Sequence, residues 1–145
     1  MATTNAATNY LELKLLQFIF ANNSGSFSTP AASLYVGLAT AVSDAEAGSL
    51  TEATYTNYAR QQVNGTSGGW TVANSGGTCT AKNAANVEFP ASGSSVTGQT
   101  ITHCFIADAS SSGNILFVGA LDASKVIGNL DIFRINTNNL SIEMK

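Results

Sequence analysis

Past Pro30 the chain falls into period two and hardly leaves it, which restricts the fold more than any other feature of the sequence. At 33–39, Leu34, Val36 and Leu38 alternate with Tyr35 and Gly37, the pattern of a half-buried strand. Further strands are expected at 58–63, 70–73, 79–82, 86–89, 100–108, 115–121, 131–136 and 140–144. The last two read as a pair closing around 137–139, and residues 74–77 as a hairpin-like turn. In the strand at 100–108, Ile101, His103 and Phe105 share one face, with Cys104 and Ile106 opposite. Turn-forming residues recur about every 8–12 positions, as in sandwiches and barrels. A parallel α/β sheet would need a helix between successive strands, and no such helices are legible. The expected fold is therefore all-β with one N-terminal helix: an antiparallel, jelly-roll-like β-sandwich of about eight strands.

The single helix is placed at residues 9–22. Asn9 stands at the expected N-cap and Glu12 three residues on, the spacing of a capping box. Leu11, Leu15, Phe18 and Ile19 recur at helical spacing, and Leu16 and Phe20 widen the stripe. Asn22, Asn23, Ser24 and Gly25 stop it. Residues 1–8, small and polar, read as a flexible arm before a single domain at 9–145. So apolar a helix either packs on its own sandwich or is buried at a subunit interface. The candidate interface residues are Leu11, Leu15, Phe18 and Ile19, with Tyr35 and Trp70.

Charge narrows the function. Only 10% of residues are charged, against about 25% in an ordinary soluble domain. Ser, Thr, Asn and Gly, roughly two-fifths of the chain, must carry solubility. A free particle of this composition self-associates readily, which suits a subunit whose surface is covered in an assembly. Six basic residues, singly placed in a chain of net charge −3, form no phosphate-tracking stripe, so no nucleic-acid partner is expected. The longest apolar run, 15–21, contains Gln17 and falls short of the ~20 residues of a membrane span. The first residues show no basic region followed by an apolar one, so no secretory signal is expected.

Catalytic, metal and cofactor sites are not expected. His103 is the only histidine, no GxSxG elbow is present, and His103 and Cys104 point to opposite faces of a strand. Cys79, Cys104 and His103 are too few and too far apart for a structural zinc site. Asp44, Glu46 and Glu52 read as a solvated acidic loop rather than a calcium site. Cys79 and Cys104 permit one disulfide, but two buried or half-buried thiols is the preferred reading. Tyr35, Tyr55, Tyr58 and Trp70 raise the alternative of a sugar-stacking platform.

Longer segments carry a family likeness. TPAASLYVGLAT (29–40), LTEATYTNYARQQV (50–63) and GWTVA (69–73) resemble small virion proteins of tailed bacteriophages. NAANVEFPAS (83–92), TITHCFIADASSSGNILFVGAL (100–121) and LDIFRINTNNLSIEMK (130–145) are similar to the same group, which includes jelly-roll head-decoration proteins and chains described as tail fibres. The last third departs from the group's pattern in carrying Asp131, Arg134 and Glu143. The resemblance implies a non-enzymatic virion subunit, assembled in the host cytoplasm. Its expected partners are itself, as dimer or trimer, and the major capsid protein or other virion proteins. The first expectation is a capsid decoration or cement subunit. The alternative is a tail or fibre component for assembly or host-surface carbohydrate binding.

Overall fold

The computed structural model describes residues 5–21, 33–65 and 68–144. The expected helix stop at Asn22 to Gly25 and residues 1–4 of the expected arm lie outside the described residues. Strand β1 is Ala6–Ala7 and helix α1 is Asn9–Leu16, continued by a π-helical turn, Gln17–Ala21. Strands β2 (Ser33–Asp44), β3 (Ser49–Glu52), β4 (Gln61–Asn64), β5 (Trp70–Ser75) and β6 (Thr78–Asn83) follow. The chain continues through β7 (Val87–Glu88), β8 (Gln99–Ala107), β9 (Ile115–Ile127), β10 (Arg134–Ile135) and β11 (Ser141–Met144).

Every strand pairing is antiparallel. The large sheet runs β1-β9-β8-β2-β3, with β4 also on β2. Strand β2 is long enough to use its second edge twice: Ser33–Val36 pairs with β4 and Ala39–Asp44 with β3. A three-stranded sheet, β11-β6-β5, and the β10-β7 ladder complete the fold. The molecule is thus an all-β sandwich with one short helix, as expected. Among the described residues its strands divide as six, three and two, where a jelly roll would hold two sheets of four.

The main core lies between the layers. Val36, Leu38, Ile101, Cys104 and Ile106 of the large sheet join Trp70, Val87, Phe89, Ile135 and Leu140 in one buried cluster. A smaller cluster of Ala39, Phe105, Ala107, Val118 and Ala45 covers the other face of the same strands. Phe105 lies over Gly37, its cross-strand partner: a Cβ on Gly37 would come within 2.2 Å of the ring. Between Gly76 and Gly77, both at positive φ, the chain makes a two-residue hairpin between β5 and β6, as the turn at 74–77 predicts.

Several expectations are corrected. The helix cap is Thr8, one residue before Asn9. Its hydroxyl accepts from Leu11 N at 3.4 Å and donates to Ile115 O at 2.6 Å, which fixes the helix start to β9. Residues 5–8 of the expected arm lie on the sheet: Asn5 Oδ1 accepts from Ala120 N, and Ala6 and Ala7 pair with β9. Residues 131–136 and 140–144 do not pair with each other; β10 joins β7 and β11 takes the free edge of β6. Fully buried Asn83 accounts for that divergence. Its side chain donates to Ala85 O and Asn136 O and accepts from Leu140 N, while its backbone carbonyl accepts from Asn138 N. The register also slips between Ile101 and His103, so Ile101 joins Cys104 and Ile106 in the main core instead of facing with Phe105. Strand β3 occupies part of the stretch read as an acidic loop.

Candidate functional site

Helix α1 is anchored at its start. Thr8 is buried, and Leu11 packs against the main core as a partly buried residue. No residue of the helix is fully buried. From there the sequence keeps adding apolar side chains that no described residue fully covers. Leu13 is 54% exposed, Leu15 38%, Leu16 55%, Phe18 57%, Ile19 58% and Phe20 80%. At helical spacing Leu11, Leu15, Phe18 and Ile19 form one flank and Leu13, Leu16 and Phe20 another. A helix apolar all round is ordinarily a buried one.

Of the candidate interface residues, Leu11, Leu15, Phe18 and Ile19 are therefore brought together on one short element. Tyr35 and Trp70 are not among them: Tyr35 is half-buried in β2, and Trp70 belongs to the main core. Leu16 and Phe20, which widen the stripe, and Leu13, which lies off it, are all more exposed than Leu15. Their signal was the absence of a polar face on the helix. Beside α1 a groove of about 720 Å³ runs between Leu11 and Leu15, strand β9 at Phe117 and Gly119, and Ile142 of β11. A second groove, about 550 Å³, opens under Trp70, Val72 and Ala81.

Of the aromatic residues considered for sugar stacking, Tyr55, Tyr58 and Trp70 belong to the main core, while Tyr35 is half-buried in β2. Tyr55 and Trp70 are buried, and Tyr55, Tyr58, Phe89 and Phe133 form a chain of ring contacts 5.3–6.1 Å apart. Among the acids read as a solvated loop, Glu52 is part of an ionic network. Arg60 donates through Nε and Nη2 to its two carboxylate oxygens, each at 2.8 Å, and Tyr58 donates to Oε1 while accepting from Leu38 N. Arg60 Nη1 also donates to Ala109 O and Ser112 O, and the guanidinium lies 5.0 Å from the Phe105 ring centroid. Burial pushes the Glu52 carboxyl up, but hydrogen bonds from Arg60 and Tyr58 and the Arg60 charge outweigh it, holding its pKa below the ordinary value. Desolvation keeps the Tyr58 phenol protonated.

Neither titratable group of the β8 strand is set up for chemistry. His103 Nδ1 lies 2.8 Å from Thr102 Oγ1, its Nε2 has no partner, and burial lowers its pKa. Burial pushes the Cys104 thiol up to about 11, the opposite of an activated nucleophile. Cys79 and Cys104 are both free thiols; Cys104 is buried, whereas Cys79 is exposed and not half-buried as expected. Among the described residues no cluster of three His, Cys, Asp or Glu side chains is placed to hold a metal ion, and no helix is long and apolar enough to cross a membrane.

The described residues thus form an antiparallel sandwich, tied by a half-buried ion pair and presenting an apolar helix. The chain belongs to the family described as Podophage GP4 fiber I protein gp80, whose model matches residues 6–143. It is accordingly a bacteriophage virion structural protein, in keeping with the likeness to tailed-phage virion proteins in its sequence. No curated protein matches the chain.

Proposed function

We propose that the chain is a non-enzymatic subunit of a virion fibre, held in the particle by apolar contacts made through α1 and the π-helical turn after it. The observation that carries this reading is the exposure of six large apolar residues between Leu13 and Phe20, on a helix whose start is fixed to the sheet. Apolar surface of that extent marks an interaction site. The scarcity of charge supports permanent burial in an assembly over a life as a free particle. The description of the family as fibre proteins favours this alternative over the head-decoration role expected first.

Deletion of the gene from the phage tests it. Heads of normal heat resistance, with fibres missing in electron micrographs and adsorption to host cells reduced, are the expected result. Intact fibres and adsorption, with heads that rupture on mild heating, would assign the chain to the shell as a cement subunit. Gold-labelled antibody against the recombinant chain places it on wild-type particles independently of any loss of function.

A further inference from the structure

We infer that the apolar helix is a self-association surface: copies of this chain pack α1 and the π-helical turn against one another in a closed homo-oligomer. The inference deepens the fibre reading by naming the partner of the same surface. Area is the first ground. Residues of this size present about 150–250 Å² each when fully exposed. At the exposures of Leu13, Leu15, Leu16, Phe18, Ile19 and Phe20, roughly 700 Å² of apolar surface remains open on one copy. That exceeds the ~300–600 Å² of the largest patch on a typical monomer. It approaches the ~800 Å² that each partner contributes to a stable interface, so like patches meeting across a symmetry axis reach about 1,400 Å² in total.

Composition is the second ground. Of the exposed positions on this element, Asn9 and Glu12 are polar and the six others carry neither charge nor hydrogen-bonding group, so the patch offers a chemically different partner little to select. Interfaces between identical subunits are the more apolar class, which suits so apolar a surface. Length is the third. Among the described residues, helix α1 and its π-helical extension cover Asn9–Ala21. Isolated helices shorter than ~12–15 residues are marginal in water, and the cap at Thr8 with the packing of Tyr10 and Leu11 holds the first turn. Packing of the distal half against the same half of another copy would cover the side chains left exposed there.

The experiment is sedimentation velocity on the full recombinant chain, with Trp70 fluorescence reporting the fold. The wild type is expected to sediment as a dimer or trimer. The triple variant Leu13→Gln, Leu16→Gln, Phe20→Gln alters only side chains exposed in one copy; it should keep the buried-Trp70 emission while its mass falls about two- or three-fold. As a control, Val126→Gln with Ile132→Gln, exposed apolar residues outside the helix, should leave the oligomer whole. A monomeric wild type, an oligomer that survives the triple substitution, or one dissolved by the control pair would overturn the inference. The measurement uses no phage, so its failure leaves the fibre reading standing, and a location on the head would leave self-association standing.

Discussion

Asn83 and Glu52 show how a chain with few charges places its polar groups. Asn83 is fully buried, yet its amide and carbonyl are satisfied by Ala85, Asn136 and Leu140. Truncation to alanine leaves those three backbone groups without partners. Asn83→Ala should therefore destabilise by about 2–3 kcal/mol, read as a lower urea midpoint at unchanged slope. Glu52 acts through pH. Because its carboxyl titrates below the ordinary value of 4.5 in the folded protein, its stabilisation is fully present above that pH. It is lost as pH falls through the lower folded value. The thermal midpoint should thus drop with acidification below about pH 4.5. Glu52→Gln should start from a lower midpoint and show a shallower acid dependence; equal dependence in both proteins would remove Glu52 from the account.

At the scale of elements, the strands with strict alternation were legible and the tertiary devices were not. Leu34, Val36 and Leu38 announce β2, and Gly76 with Gly77 announces the β5–β6 hairpin. The register slip beyond Ile101 is set by the way β9 pairs, which local periodicity cannot report. The same holds for the turn at 137–139, where Asn83 diverts the chain from one sheet to another across more than fifty residues. Of the interaction surface, the helix was visible in its spacing. Its exposure was not, because apolar spacing alone reads the same for a helix packed at home and one packed elsewhere. Gly37 is a further case, read as one step of an alternation when its lack of a side chain makes room for the Phe105 ring. Gly37→Ala should cost about 1–3 kcal/mol through overpacking, measured by chemical denaturation. Combining it with Phe105→Leu should recover part of that loss, since a smaller partner relieves the clash.

For the whole molecule, the low charge content predicts how assembly responds to solution conditions. Surface ion pairs are screened beyond about 10 Å at 0.1 M salt, but contact between apolar helices is not. Sedimentation between low salt and 1 M should therefore show the same oligomer, and dissociation on raising salt would point to a charged contact instead. The β5–β6 hairpin has its own consequence. A Cβ on Gly76 or Gly77 would meet nothing within 4 Å, and both residues belong to a turn whose neighbours are exposed. Chain inserted at such a tip disturbs little of the domain behind it. A peptide epitope spliced between Gly76 and Gly77 should therefore leave the sandwich folded, with a thermal midpoint close to that of the uninterrupted chain, which makes this turn a permissive site for carrying foreign sequence.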